Sequence, residues 1–115
     1  MTTVTEMAGK TTIAPEVLIS IARLTTLDVI GVSHLTNPPG KIGRLFKQLS
    51  SDGVKLIIED EIIYMDLFVV LKRDVNIRDV CHSIQNRVTR AIHEMVGMEV
   101  GRVNVHVEDI DYTNS

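Results

Sequence analysis

The residues best suited to chemistry in this 115-residue chain point to binding rather than to reaction. Gly40-Lys41-Ile42-Gly43 is a G-x-x-G loop with a base inside it, followed by Arg44, Lys47 and the apolar run Val54 to Ile58. Two glycines let a backbone approach phosphate closely, and a helix starting just beyond them favours the anion. A KH-like RNA-binding module clamps a nucleic-acid backbone with such a loop. Against this, a lone GxxG is a weak motif, and Pro38-Pro39 interrupts any helix before it. The formal net charge of −3 gives no general pull towards nucleic acid. Glycines in a loop ahead of a helix are the commoner explanation, so RNA binding is the alternative reading.

Other candidate groups lack partners. His82 and His93 share the polar face of one helix but stand about 16 Å apart along it, too far to ligate one metal directly. Cys81 lies in an apolar stripe and reads as a small buried hydrophobe. His34 and His106 are single strand histidines with no ligand spacing around them. Glu59-Asp60-Glu61 is explained by a solvated hairpin tip, and the GxxxG spacing from Gly97 to Gly101 crosses a helix end. No nucleophile, base and oxyanion-donor set emerges, so neither an enzyme, a cofactor, a metal site nor a small-molecule substrate is expected.

A contact surface is the stronger expectation. Ile57, Tyr64, Asp66, Phe68, Arg102, Asn104 and His106 fall on strand positions that should share one sheet face, beside Lys55. Exposed apolar residues rimmed by polar groups mark a protein interface. The competing explanation is that a tail or the loop Thr36 to Gly40 covers that face. Asp66 is expected to pair across strands with Arg102 or Lys55.

The elements that must position these residues follow from periodicity. Asn76 caps a helix with Asp79 three residues on, and Val75 and Val80 occupy the staple positions. Ile77, Val80, Cys81, Ile84, Val88, Ala91, Ile92 and Met95 recur at spacings of three and four, and Gly97 supplies the left-handed stop. Val103, Val105 and Val107 then alternate with Arg102, Asn104, His106 and Glu108, a strand with two faces. Upstream, Lys10 to Ile13 reads as a short strand and Pro15 opens a helix to about Leu27. Val29 to Leu35 reads as a strand, and Lys41 to Ser50 as a short amphipathic helix ended by Asp52-Gly53. Val54 to Ile58 and Ile62 to Leu71 form a hairpin. The order β-α-β-α-β-β-α-β predicts a two-layer α+β domain, helices on one face of a small mixed β-sheet. It spans 9–110, with a disordered tail at 1–8 and a second tail at 111–115.

Composition agrees. The chain is 44% hydrophobic with two Phe, two Tyr and no Trp, so the core is aliphatic. One cysteine excludes an internal disulfide framework and fits a reducing cytosol. The first ten residues do not form a secretory signal, and no run approaches the ~18 apolar residues of a membrane helix. The chain is expected to be cytoplasmic.

GKTTIAPEVLISIA, IGVSHL, DLFVVLKRDVNIRDVCHSIQNRV and MVGMEVGRVNVHV, in that order and spacing, resemble the bacterial alkaline shock protein family, also described as envelope stress response proteins. The resemblance covers Gly9 to Val107. One departure is Leu71-Lys72-Arg73, where the family commonly carries a Tyr-Gly pair. The resemblance implies a small non-enzymatic protein gathered near the cytoplasmic membrane. It also implies a homo-oligomer, docking to a membrane-anchored protein partner, and a role in envelope stress. It carries over no catalytic or cofactor residue.

Overall fold

The structure is a computed structural model that describes residues 5–7, 10–37 and 49–113. Its organising element is one long strand, β6 (Ile62–Lys72), apolar at every second position. Ile63, Met65, Leu67, Val69 and Leu71 point to one face and are fully buried there. The other elements are β1 (Thr5–Met7), β2 (Lys10–Thr12), α1 (Pro15–Leu27), β3 (Val32–Leu35), β4 (Leu49–Ser51), β5 (Val54–Glu59), α2 (Ile77–Val96) and β7 (Glu99–Asp111).

β7 lies parallel to β6 along its whole length, and β5 pairs antiparallel with the first half of β6. β3 pairs antiparallel with the last residues of β6, beyond the end of β5. β5 and β3 share one edge: the Phe68 amide donates to the Gly53 carbonyl at 2.9 Å, and the Phe68 carbonyl accepts from the Thr36 amide at 2.9 Å. β4 pairs with β5 at the far side, completing a mixed five-stranded sheet. β1 and β2 form a separate two-stranded ribbon.

Both helices pack on the face that carries the buried β6 residues. Leu18, Ile19 and Ala22 of α1 and Val80, Ile84, Val88 and Ile92 of α2 join the inner strand residues in one core. The result is the two-layer α+β fold expected from the periodicity. The α2 termini match as well: the Asn76 side chain accepts from the Asp79 amide at 3.1 Å, and Gly97 adopts φ +76°. The stripe is buried only in its middle, however. Ile77 at one end is 48% exposed and Met95 at the other is 68% exposed, while Ile92 and Val96 keep the last turns of α2 on the core.

β7 reaches the core through two irregularities. Its pairing with β6 shifts between Val100 and Arg102 and again between Val107 and Asp109, leaving Gly101 and Glu108 as extra residues. Each extra residue reverses the alternation. Val100, the valines at 103, 105 and 107, and Ile110 all pack against the core as a consequence. Gly101 sits where a Cβ would come within 2.7 Å of the Tyr64 ring.

One local expectation fails. Leu49 and Ser50, read as the end of a helix, belong to β4, and Asp52-Gly53 is the turn of a hairpin rather than a helix stop. Asp52 and Gly53 both have positive φ, at 51° and 81°, as the tight turn that suits twisted strands requires. Asp60 and Glu61 repeat the arrangement between β5 and β6. The remainder of the predicted short helix, 41–48, lies outside the described residues. Strand β1 falls within the stretch read as a tail.

Candidate interaction surface

The sheet face opposite the helices gathers every residue expected there. Register places Lys55, Asp66 and Asn104 in one row across three strands, and Ile57, Tyr64 and Arg102 in the next. Phe68 and His106 lie opposite each other in the row on the other side of Asp66. Alternation alone puts these side chains on one face.

Asp66 organises the polar part. Its Oδ1 accepts from Asn104 Nδ2 at 3.1 Å and lies 2.8 Å from His106 Nε2. A carboxylate offers only acceptors, so the facing imidazole nitrogen carries a hydrogen. The expected partners of Asp66, Arg102 and Lys55, are not its partners here. Lys55 instead extends over Phe68, with Nζ 5.9 Å from the ring centroid, within cation–π range. The other side of the motif is aromatic: the His106 ring stacks on Phe68 with centroids 4.6 Å apart and planes 12° from parallel. Phe68 is thereby only 8% exposed, so it is not the open apolar patch that the sequence suggested. The accessible apolar surface belongs to Ile57 and Tyr64, both half-buried.

A second surface lies on the helix layer, at α1, whose wide apolar arc in the sequence implies burial on more than one side, within the domain or against a partner chain. Leu24 of α1, 58% exposed, and Met95 of α2 line a groove between the helices together with Thr25 and Ala91. Asp28, Arg87, Arg90 and Glu94 rim it, with Arg87 and Asp28 paired at 3.2 Å.

The chemical content elsewhere is slight. Ser33 donates to Asp111 Oδ2 at 2.6 Å, and its Oγ lies 2.9 Å from His34 Nδ1. Ser33 and Asp111 are too far apart in the chain for spacing to have revealed this contact. Cys81 is half-buried, and burial pushes its thiol pKa up, away from nucleophilic character. Among the described residues, no three His, Cys, Asp or Glu side chains converge to hold a metal ion. No described helix is long and apolar enough to cross a membrane. Gly40, Lys41, Ile42, Gly43, Arg44 and Lys47, the alternative nucleic-acid site, lie outside the described residues.

Comparison with known proteins follows the same lines. The profile of the alkaline shock protein 23 family, described as having a cell envelope-related function, matches residues 3–112. The chain is similar to YqhY of Bacillus subtilis, 29% identical over 106 residues that make up 90% of this chain and 78% of that protein. It is also similar to YloU of the same organism, 26% identical over 110 residues, 92% of each. Among solved structures, a manganese form of the MamM CTD matches with a TM-score of 0.51 and 12% identity, over 87% of this chain and 100% of that one. A zinc form of the MamM CTD matches with a TM-score of 0.54 and 11% identity, over 88% and 91%. At this identity the likeness shows the fold alone.

Proposed function

Since this chain belongs to the alkaline shock protein 23 family, whose function is cell envelope-related, we propose that it works there as a non-catalytic scaffold. In this reading copies self-associate, and the assembly docks to a membrane-anchored partner at the cytoplasmic face of the membrane. The observation that carries the reading is the ordered sheet face. Asp66, Asn104, His106, Phe68 and Lys55 hold one another in fixed positions, with Ile57 and Tyr64 open beside them. Such a face loses little side-chain freedom on contact, which favours association. The groove at Leu24 and Met95, on the opposite layer, leaves room for a second and different contact. A scaffold needs at least two contacts, and weak ones become effective when many copies are concentrated.

The test is the mass of the assembly. Ile57→Lys with Tyr64→Asp changes only half-buried positions on the open face, so the circular dichroism spectrum should stay native. The expected result is a lower weight-average mass by light scattering than the parent at equal concentration. An unchanged mass removes this face from self-association.

A further inference from the structure

β7 is an edge strand: among the described residues it pairs with β6 alone. Its two irregularities leave a straight stretch from Arg102 to Val107 between them. Edge strands that must stay single are usually blunted by lysine, proline, inward-pointing charge or a bulge, and the two bulges of β7 flank this stretch without interrupting it. This stretch, Arg-Val-Asn-Val-His-Val, has neither lysine nor proline, and its valines favour pairing. Gln85 of α2 does reach over, donating from Nε2 to the Val103 carbonyl at 3.0 Å. That bond shows that Val103 turns its carbonyl away from β6. By alternation, Val105 and Val107 turn theirs the same way. A carbonyl has two acceptor positions, so the Gln85 bond leaves Val103 able to accept another.

We propose that this edge pairs antiparallel with the same edge of a second copy, joining two sheets into one. The proposal rests on the self-association reading and names the seam through which it occurs. Symmetry restricts the register. The groups that point outward belong to odd-numbered residues, so Val103, Val105 and Val107 of one copy must face the same set of the other. Centring the pair on Val105 places Val103 opposite Val107 and Arg102 opposite Glu108, twice over by the two-fold axis. Centring it one position earlier, on Asn104, would set Arg102 against His106. Charge therefore selects the Val105 register. Both Arg102 and Glu108 are exposed, and neither has an ion pair among the described residues. The joined sheet would carry the Asp66–Asn104–His106 face of each copy side by side.

Charge reversal tests the seam without touching the core. The measurement is sedimentation equilibrium on the full chain and on Arg102→Glu, Glu108→Arg and the double variant. In either single variant two attractive pairs become repulsive, and association should weaken on the order of tenfold. The double variant should recover the parent's mass. An equimolar mixture of the two single variants should also assemble more tightly than either variant alone. Equal masses for parent and single variants, with the parent assembled, overturn the seam but leave self-association standing. Weakening that neither the double variant nor the mixture repairs overturns the register. A parent that stays at 12.8 kDa at every concentration overturns the self-association reading and the seam with it.

Discussion

Asp111 shows how single side chains lock the end of the sheet. Its carboxylate accepts from Ser33 Oγ at 2.6 Å, Thr113 Oγ1 at 2.7 Å and the Thr113 amide at 3.0 Å. These bonds, the Ser33 hydroxyl foremost, lower its pKa from 3.8 to about 2. A carboxyl lowered in the folded state stabilises the fold fully above its unfolded pKa and ceases to do so as pH falls through its folded value. For Asp111 that loss runs from about pH 4 down to about pH 2. Ser33→Ala should raise the Asp111 midpoint towards 3.8 in a carboxyl-carbon NMR titration, and an unmoved midpoint would show that the serine does not hold it. At this scale the sequence was only partly legible. Alternation placed Asp66 on the correct face with Asn104 and His106, but it could not choose among four polar neighbours. The pairing depends on side-chain reach and on the stacking of His106 over Phe68, which periodicity does not encode.

At the scale of elements, Gly53 is the position where several meet. The β4–β5 turn it completes abuts the end of β3, and the Asn37 side chain accepts from its amide at 2.9 Å. A Cβ there would lie 2.9 Å from the Thr36 carbonyl oxygen, and φ is +81°. Backbone cannot yield as a flexible side chain can. Gly53→Ala should therefore cost about 1–3 kcal/mol in urea unfolding. Gly97→Ala, with positive φ but nothing within 4 Å, should cost less. Equal losses would mean that the contact with Thr36 adds nothing. The same turn explains the main misreading of the chain. Asp-Gly stops a helix and also makes a tight hairpin turn, and three residues of β4 are too few to reveal a period of two. The longer elements α1, α2, β5 and β6 were legible because their apolar periods persist. The two extra residues of β7 were not, since only three-dimensional pairing shows that Val100 and Ile110 share the core with the valines between them.

For the whole molecule, an aliphatic core divides two surfaces of different character. One is an ordered polar and aromatic sheet face; the other is a helix groove opened by Leu24 and Met95. The layer arrangement was readable from the order of elements. Which surfaces remain open was not, because exposure depends on what packs over each face: Phe68 is sheltered, while Leu24 is not. Adhesion between copies is the property on which the proposed role depends, and the mass of the full chain over a concentration series reads it out. Light scattering should give a mass above 12.8 kDa that rises with concentration. A mass fixed at 12.8 kDa throughout would show that copies do not adhere.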